Sequence, residues 1–150
     1  MWIDTHCHLD AHEFGAASLE VARSAQARGV GMIVIPAVER GNFDVVRELA
    51  AGAPNASYAL GIHPIFVPQA QDEDLAELRR QVEVSMDDPR FVGVGEIGLD
   101  FFIPMLCEPA MVEKQERFFR EQLRIARDCG LPVLTHVRRS QDQVLKHVRQ

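Results

Sequence analysis

Phe91-Val92-Gly93-Val94-Gly95-Glu96-Ile97-Gly98-Leu99-Asp100 carries an apolar, strand-like run into an acidic motif. Phe91–Glu96 reads as a strand. Period-two alternation puts Val92, Val94 and Glu96 on one face, and Gly93 and Gly95 on the other. A carboxylate on the inner face of an apolar strand is costly unless it is paired or bound to metal. Glu96 is therefore either a metal ligand, able to bridge two ions as an imidazole cannot, or part of a buried ion pair or a helix N-cap. The flanking glycines point to close backbone approach. Two other apolar runs end in the same manner: Trp2-Ile3 leads into Asp4-Thr5-His6-Cys7-His8, and Pro132-Val133-Leu134-Thr135 leads into His136. Imidazoles and a carboxylate at separate strand ends are what a barrel needs to hold divalent metal at one rim.

Outward from these motifs, strand-like and helix-like patterns alternate. Strands are expected at Trp2–His6, Gly31–Ile35, Ser57–Ile62, Phe91–Glu96 and Pro132–Thr135. Helices are expected at Ala17–Arg28, Asn42–Ala51, Asp72–Met86, Met111–Cys129 and from Gln141 to Gln150. Gly29 and Gly130 stand where helices stop, and Asp72 is a fair N-cap for the third helix. The strands are apolar throughout, which suits parallel strands buried on both faces. The longest irregular stretch, Phe101–Ala110, follows the Glu96 motif and is expected to lie over the site. The repeat is the βαβ spacing of an α/β, TIM-barrel-type architecture. A complete (β/α)8 barrel takes about 200 to 250 residues. Residues 1–150 are therefore read as one domain, the N-terminal part of an incomplete barrel with about five of eight units.

Charged residues make up 25% of the chain and hydrophobic ones 47%, which is ordinary for a globular domain. A formal net charge of -6 argues against indiscriminate nucleic-acid binding. It leaves room for a polyanionic substrate, because bound divalent cations reverse the local sign. Cys7, Cys107 and Cys129 have no disulfide-like spacing, and a reducing cytoplasm is the natural setting. No signal-like segment or apolar run of spanning length is read in the chain, so no membrane partner is expected.

His6 and His8, two apart on a strand, would share a face and reach one ion, with Asp4 on that face to orient an imidazole. His136 ends the fifth strand. Arg138, on its face if the strand continues, is suited to gripping a phosphate oxygen, whereas Arg139 reads as a solvated loop residue. His63 is either a proton donor or substrate contact at the rim, or a satisfied core histidine. Asp100 is either an acceptor behind a ligand or a turn residue. His12 and His147 read as surface residues, and the three cysteines as buried packing. The pairs Phe101-Phe102 and Phe118-Phe119 read as core or loop anchors.

Ile3–Asp10, Val34–Ala37, Ala59–Pro64, Val92–Asp100, Gln115–Leu123 with Gln122, and Leu131–His136 leading to Arg138 together resemble the TatD family of metal-dependent hydrolases and deoxyribonucleases. The resemblance runs in order along the chain. It implies a TIM-like barrel that hydrolyses phosphodiesters, typically DNA from the 3′ end, using two divalent ions (Mg, Mn or Zn). It also implies that His6 and His8 bind one ion, that Glu96 bridges the two, and that His136 binds the second. His63 and Arg138 would lie at the substrate edge. The family usually has tyrosine after Gly-Leu-Asp, where this chain has Phe101-Phe102. Its pattern also includes a histidine from a sixth strand and an aspartate from an eighth, both beyond Gln150. Two alternatives are carried forward. One is a metallohydrolase of a small ester, an amide or an aminoacyl-tRNA ester. The other is an inactive fragment that self-associates through exposed barrel edges, which sedimentation would reveal as a concentration-dependent oligomer.

Overall fold

The structure, a computed structural model, describes residues 1–149. Strands β1 (Trp2–Asp4), β2 (Val30–Pro36), β3 (Ala56–Leu60), β4 (Phe91–Asp100) and β5 (Val133–Arg138) alternate with helices α1 (Ser18–Ala27), α2 (Phe43–Gly52), α3 (Asp72–Ser85), α4 (Pro109–Asp128) and α5 (Gln141–Val148). The strands form one sheet in the order β1-β2-β3-β4-β5. Every neighbouring pair is parallel. Sequential parallel strands, each returning through a helix, are the first five units of a (β/α) barrel, so the fold is the incomplete barrel the repeat implies.

The apolar runs sort themselves by position in the sheet. All of β3 is buried, as is β4 from Gly93 to Asp100. Leu60, Ile97 and Leu99 meet Tyr58, Leu78, Phe118 and Phe119 in one core. Burying each large apolar side chain contributes about 1.5–3 kcal/mol. The expectation of burial on both faces fails at the edges: Trp2 and Ile3 of β1 are exposed, and β5 is at most half-buried. Among the described residues, each of these strands pairs on one side only.

Two boundaries differ from expectation in ways that matter for the site. β1 ends at Asp4, so His6 and His8 lie on the loop beyond it. β4 runs four residues past Glu96, because its second half keeps pairing with β5 through Ile97↔Thr135 to Asp100↔Arg138. The cap of α3 also differs from expectation. Gln71, not Asp72, caps α3, and Asp74 accepts the Gln71 N–H at 2.8 Å. Asp72 instead pairs with Arg117 of α4 at 2.6 Å. No helix among the described residues is long and apolar enough to cross a membrane.

Candidate metal centre

Glu96 sits in the buried middle of β4, with His136 on the neighbouring strand β5. The register places His136 opposite Gly98. At Gly98 φ is +144°, and a side chain there would run into the His136 carbonyl oxygen, so glycine is required for this close approach. His6 and His8 reach the same place from a loop rather than from one strand face. The Cys7 N–H donates to the Val34 carbonyl at 3.0 Å, which fastens the loop beside the end of β2. Leu9 is buried in the core and anchors its far side. Asp4 does not orient an imidazole as expected. Its Oδ1 accepts the His6 backbone N–H at 3.1 Å and shapes the turn instead.

The two oxygens of Glu96 face two different groups. Oε2 lies 2.9 Å from His6 Nε2 and 3.2 Å from His8 Nε2, and those two nitrogens are 3.2 Å apart. Oε1 lies 3.2 Å from His136 Nδ1 and 3.6 Å from His63 Nε2. Donors that share one ion at about 2.0–2.2 Å sit roughly 3 Å from each other. His6, His8 and Glu96 meet that spacing, and their mix of imidazole and carboxylate suits zinc, manganese or another first-row ion. His63, Glu96 and His136 form a second such group. The residues present therefore fit divalent cations, with one carboxylate shared between two positions.

Hydrogen bonds behind the cluster set the rings. His136 Nε2 faces Asp100 Oδ2 at 3.1 Å, so a neutral ring carries its proton on Nε2 and turns the Nδ1 lone pair toward Glu96, whereas a protonated ring donates to both carboxylates. Asp100 Oδ1 accepts the N–H groups of Phe102 and Ile103 at 2.9 and 3.2 Å, so this residue fills both roles left open for it. His63 Nδ1 accepts the Ile65 N–H at 3.1 Å, and a neutral ring then carries its proton on Nε2. That N–H points to His136 Nδ1 at 3.0 Å. His63 is thus at the rim, joined to the cluster as a donor, and is not a core histidine.

Two features escaped the sequence reading. Asp10 stands behind His8, its Oδ1 3.6 Å from Nδ1, and is itself held by Asn42 Nδ2 at 2.7 Å. The His8-x-Asp10 spacing was the signal for it. Gln122 and Gln115 clamp α4 to the strand ends. Gln122 Oε1 accepts the Ile62 N–H at 2.7 Å while its Nε2 donates to the Ile62 carbonyl at 3.1 Å. Gln115 bonds the Asp100 N–H and the Leu106 carbonyl in the same manner, which ties down the loop after β4.

The charges follow from these contacts. Asp10 and then Glu96 raise the pKa of His8 to about 9. Burial raises Glu96, but the hydrogen bonds from His136 and His8 outweigh it and hold the carboxyl well below the usual range. Burial lowers His63 to about 4, against the pull of Glu96. The hydrogen bond to Glu96, opposed by burial and helped by Asp100, raises His136. A cation bound here would take the place of the protons that these shifts favour.

Arg138 is half exposed, 3.9 Å from Asp100 Oδ2. Its guanidinium lies 3.7 Å from the centre of the Phe102 ring, and that of Arg139 lies 4.5 Å from it. Arg139 is therefore packed on Phe102 rather than simply solvated. Phe102 is partly exposed, while Phe101 packs against the core. Three other readings resolve as follows. His12 is exposed, as expected. Cys107 is exposed rather than buried, while Cys7 and Cys129 pack against the core. His147 is buried rather than at the surface, because α5 turns Val144 and His147 inward and leaves Leu145 and Val148 outside.

A family model described as "TatD related DNase" matches residues 3–150. An uncharacterized metal-dependent hydrolase of Escherichia coli (strain K12), YjjV, is 38% identical over 149 residues, covering 99% of this chain and 55% of the relative. An uncharacterized metal-dependent hydrolase of Haemophilus influenzae is 31% identical over 151 residues, covering 99% of this chain and 57% of its own length. The crystal structure of the E. coli YjjV protein, a TatD homolog, superposes with a TM-score of 0.89 at 36% identity over 99% of this chain and 55% of that one. The chain thus spans about half the length of the curated relatives it matches.

Proposed function

Because the chain belongs to the TatD related DNase family, we propose that it carries the metal-binding half of a divalent-metal-dependent hydrolase that cleaves phosphodiester bonds in DNA. The observation that carries this reading is the division of Glu96, with Oε2 toward His6 and His8 and Oε1 toward His136 and His63. A carboxylate with one oxygen toward the His6–His8 pair and the other toward His136 is an arrangement that would hold two cations a short distance apart. The family description and the metal-dependent names of the relatives support the same reading.

In this proposal His6, His8 and Glu96 would hold one ion, and His136 with Glu96 would hold a second. When bound, such ions activate water and polarise a phosphoryl oxygen. The remaining residues act on the substrate directly. His63 presents its Nε2–H to a phosphate or leaving-group oxygen. Its low pKa keeps it neutral near pH 7, so it acts as a hydrogen-bond donor. Arg138, held flat on Phe102, offers a fork of N–H groups to a non-bridging oxygen. Asp100 keeps His136 in the tautomer that binds metal.

Calorimetric titration of the purified chain with Mn2+ and Zn2+ tests the cluster. It should show two binding events, both weakened by Glu96→Gln and only one by His6→Ala. Cleavage of a labelled oligodeoxynucleotide, measured beside a chromogenic carboxyl ester, then separates DNA from the ester alternative. Undiminished affinity at either site in Glu96→Gln overturns the shared carboxylate. Metal-dependent turnover of the ester alone moves the substrate class.

A further inference from the structure

A cavity of about 350 Å³ lies between α4 and α5. It is near the start of β5, separate from the residues of the metal cluster. Its floor is apolar, formed by Leu123, Leu131 and Val133. Its rim is cationic. Arg120, Arg124 and Arg127 recur at helical spacing on one side of α4 and all line it. Each guanidinium has an acidic neighbour on its own helix: Arg120 is 3.7 Å from Glu116, Arg124 pairs with Glu121, and Arg127 is 3.4 Å from Asp128. Such exposed pairs are weak, so these side chains can re-aim toward a ligand.

His147, from α5, closes the inner wall. Its side chain is 3% exposed, yet among the described residues neither ring nitrogen has a hydrogen-bond partner. The ring meets Phe119 edge-on, with centroids 6.0 Å apart. Glu116 Oε2, 3.5 Å from Nε2, is close but does not form a hydrogen bond. Buried polar atoms without partners are rare in folded proteins because the loss of water is uncompensated. Here the ring, with the Glu116 carboxylate 3.5 Å behind it, lines a cavity whose other polar side chains, among the described residues, are those of Arg120, Arg124 and Arg127.

We propose that this cavity binds a phosphate monoester with a small, flat apolar body. Arg124 and Arg127 grip the phosphate oxygens, His147 donates a ring N–H to one of them, and the body rests on Leu123, Leu131 and Val133. Several donors converging from different directions suit a tetrahedral oxyanion with three terminal oxygens better than a planar carboxylate. The site is independent of the metal cluster and of the hydrolase reading.

Phenylphosphate, inorganic phosphate and benzoate are the probes. The imidazole resonances of His147, assigned by comparison with His147→Gln, are followed by NMR at constant ionic strength with chelator present. Phenylphosphate should shift them saturably and more tightly than benzoate or inorganic phosphate. Affinity should fall by roughly tenfold or more in Arg124→Gln/Arg127→Gln, the effect of losing charge-assisted bonds. It should be unchanged in Glu96→Gln. Absence of a saturable shift, an equal response to benzoate, or retention of binding in the double arginine variant overturns the proposal. So does a His147→Phe variant that binds phenylphosphate as before, read from the phosphorus resonance of the ligand, which would leave the histidine as packing.

Discussion

Asp100 uses its two oxygens for two tasks. Oδ1 closes the turn at Phe102 and Ile103, and Oδ2 holds Nε2 of His136. Asp100→Asn keeps an oxygen for the turn but removes the charged acceptor behind the ring. Metal affinity should fall about 10- to 100-fold, as for other carboxylates that orient a ligand histidine, with the fold retained. Competition against a chelating dye measures this, and an unchanged affinity would mean that β5 alone orients His136. At this scale the sequence was legible wherever one residue's chemistry conflicts with its surroundings. Glu96 among apolar neighbours and the His6-Cys7-His8 spacing are such cases, and the structure brings both together. Asp10 was legible only as the His8-x-Asp10 spacing, and the fold is what sets it behind His8. His147 was misjudged because the apolar pattern of its helix includes Leu145 and Val148, which the structure leaves outside.

Elements are joined to the cluster by few bonds, and Gln122 makes the connection most open to test. Its amide takes both the N–H and the carbonyl of Ile62, the residue before His63, in a buried setting. Gln122→Leu preserves volume but leaves two buried backbone groups unpaired, which should cost about 2–4 kcal/mol. Urea unfolding should show a lower midpoint with an unchanged slope. His63, freed from its anchor, should show altered NMR resonances even where the variant is folded. A stability equal to the parent's would show that water satisfies Ile62 without the glutamine. Strand and helix identities followed from apolar runs and glycine stops, because those depend on local spacing. The lengths of β1 and β4 did not, since they depend on pairing between strands that local spacing does not show. β4 continues past Glu96 by pairing with β5, while β1 leaves β2 at Asp4, where the chain turns into the loop that carries His6 and His8.

For the whole molecule, the alkaline limit of stability is set partly by one buried phenol. Tyr58 is fully buried in the centre of the sheet, packed against Phe91, with its hydroxyl donating to Asp88 Oδ2 at 2.9 Å. Burial holds its pKa above the ordinary tyrosine value, outweighing the lowering by Ser85 and Arg47, and Asp88 adds to the rise. The unfolded chain releases this proton near pH 10, while the folded chain keeps it to higher pH. Between those two points the unfolded state binds fewer protons than the native state, so stability falls as pH rises. The contribution is fully present below about pH 10 and is lost as pH climbs through the folded-state value, at no more than about 1.4 kcal/mol per pH unit. Tyr58 is the chain's single tyrosine, so phenolate absorbance reports this group alone. The midpoint should lie above 10 in buffer and return to the ordinary value in concentrated urea. A common midpoint in both would mean that the phenol reaches water in the folded protein and that the sheet's centre is less closed than its burial indicates. Tyr58→Phe should remove this alkaline slope and, because Asp88 keeps its bond to the Arg90 N–H at 2.9 Å, cost little at neutral pH.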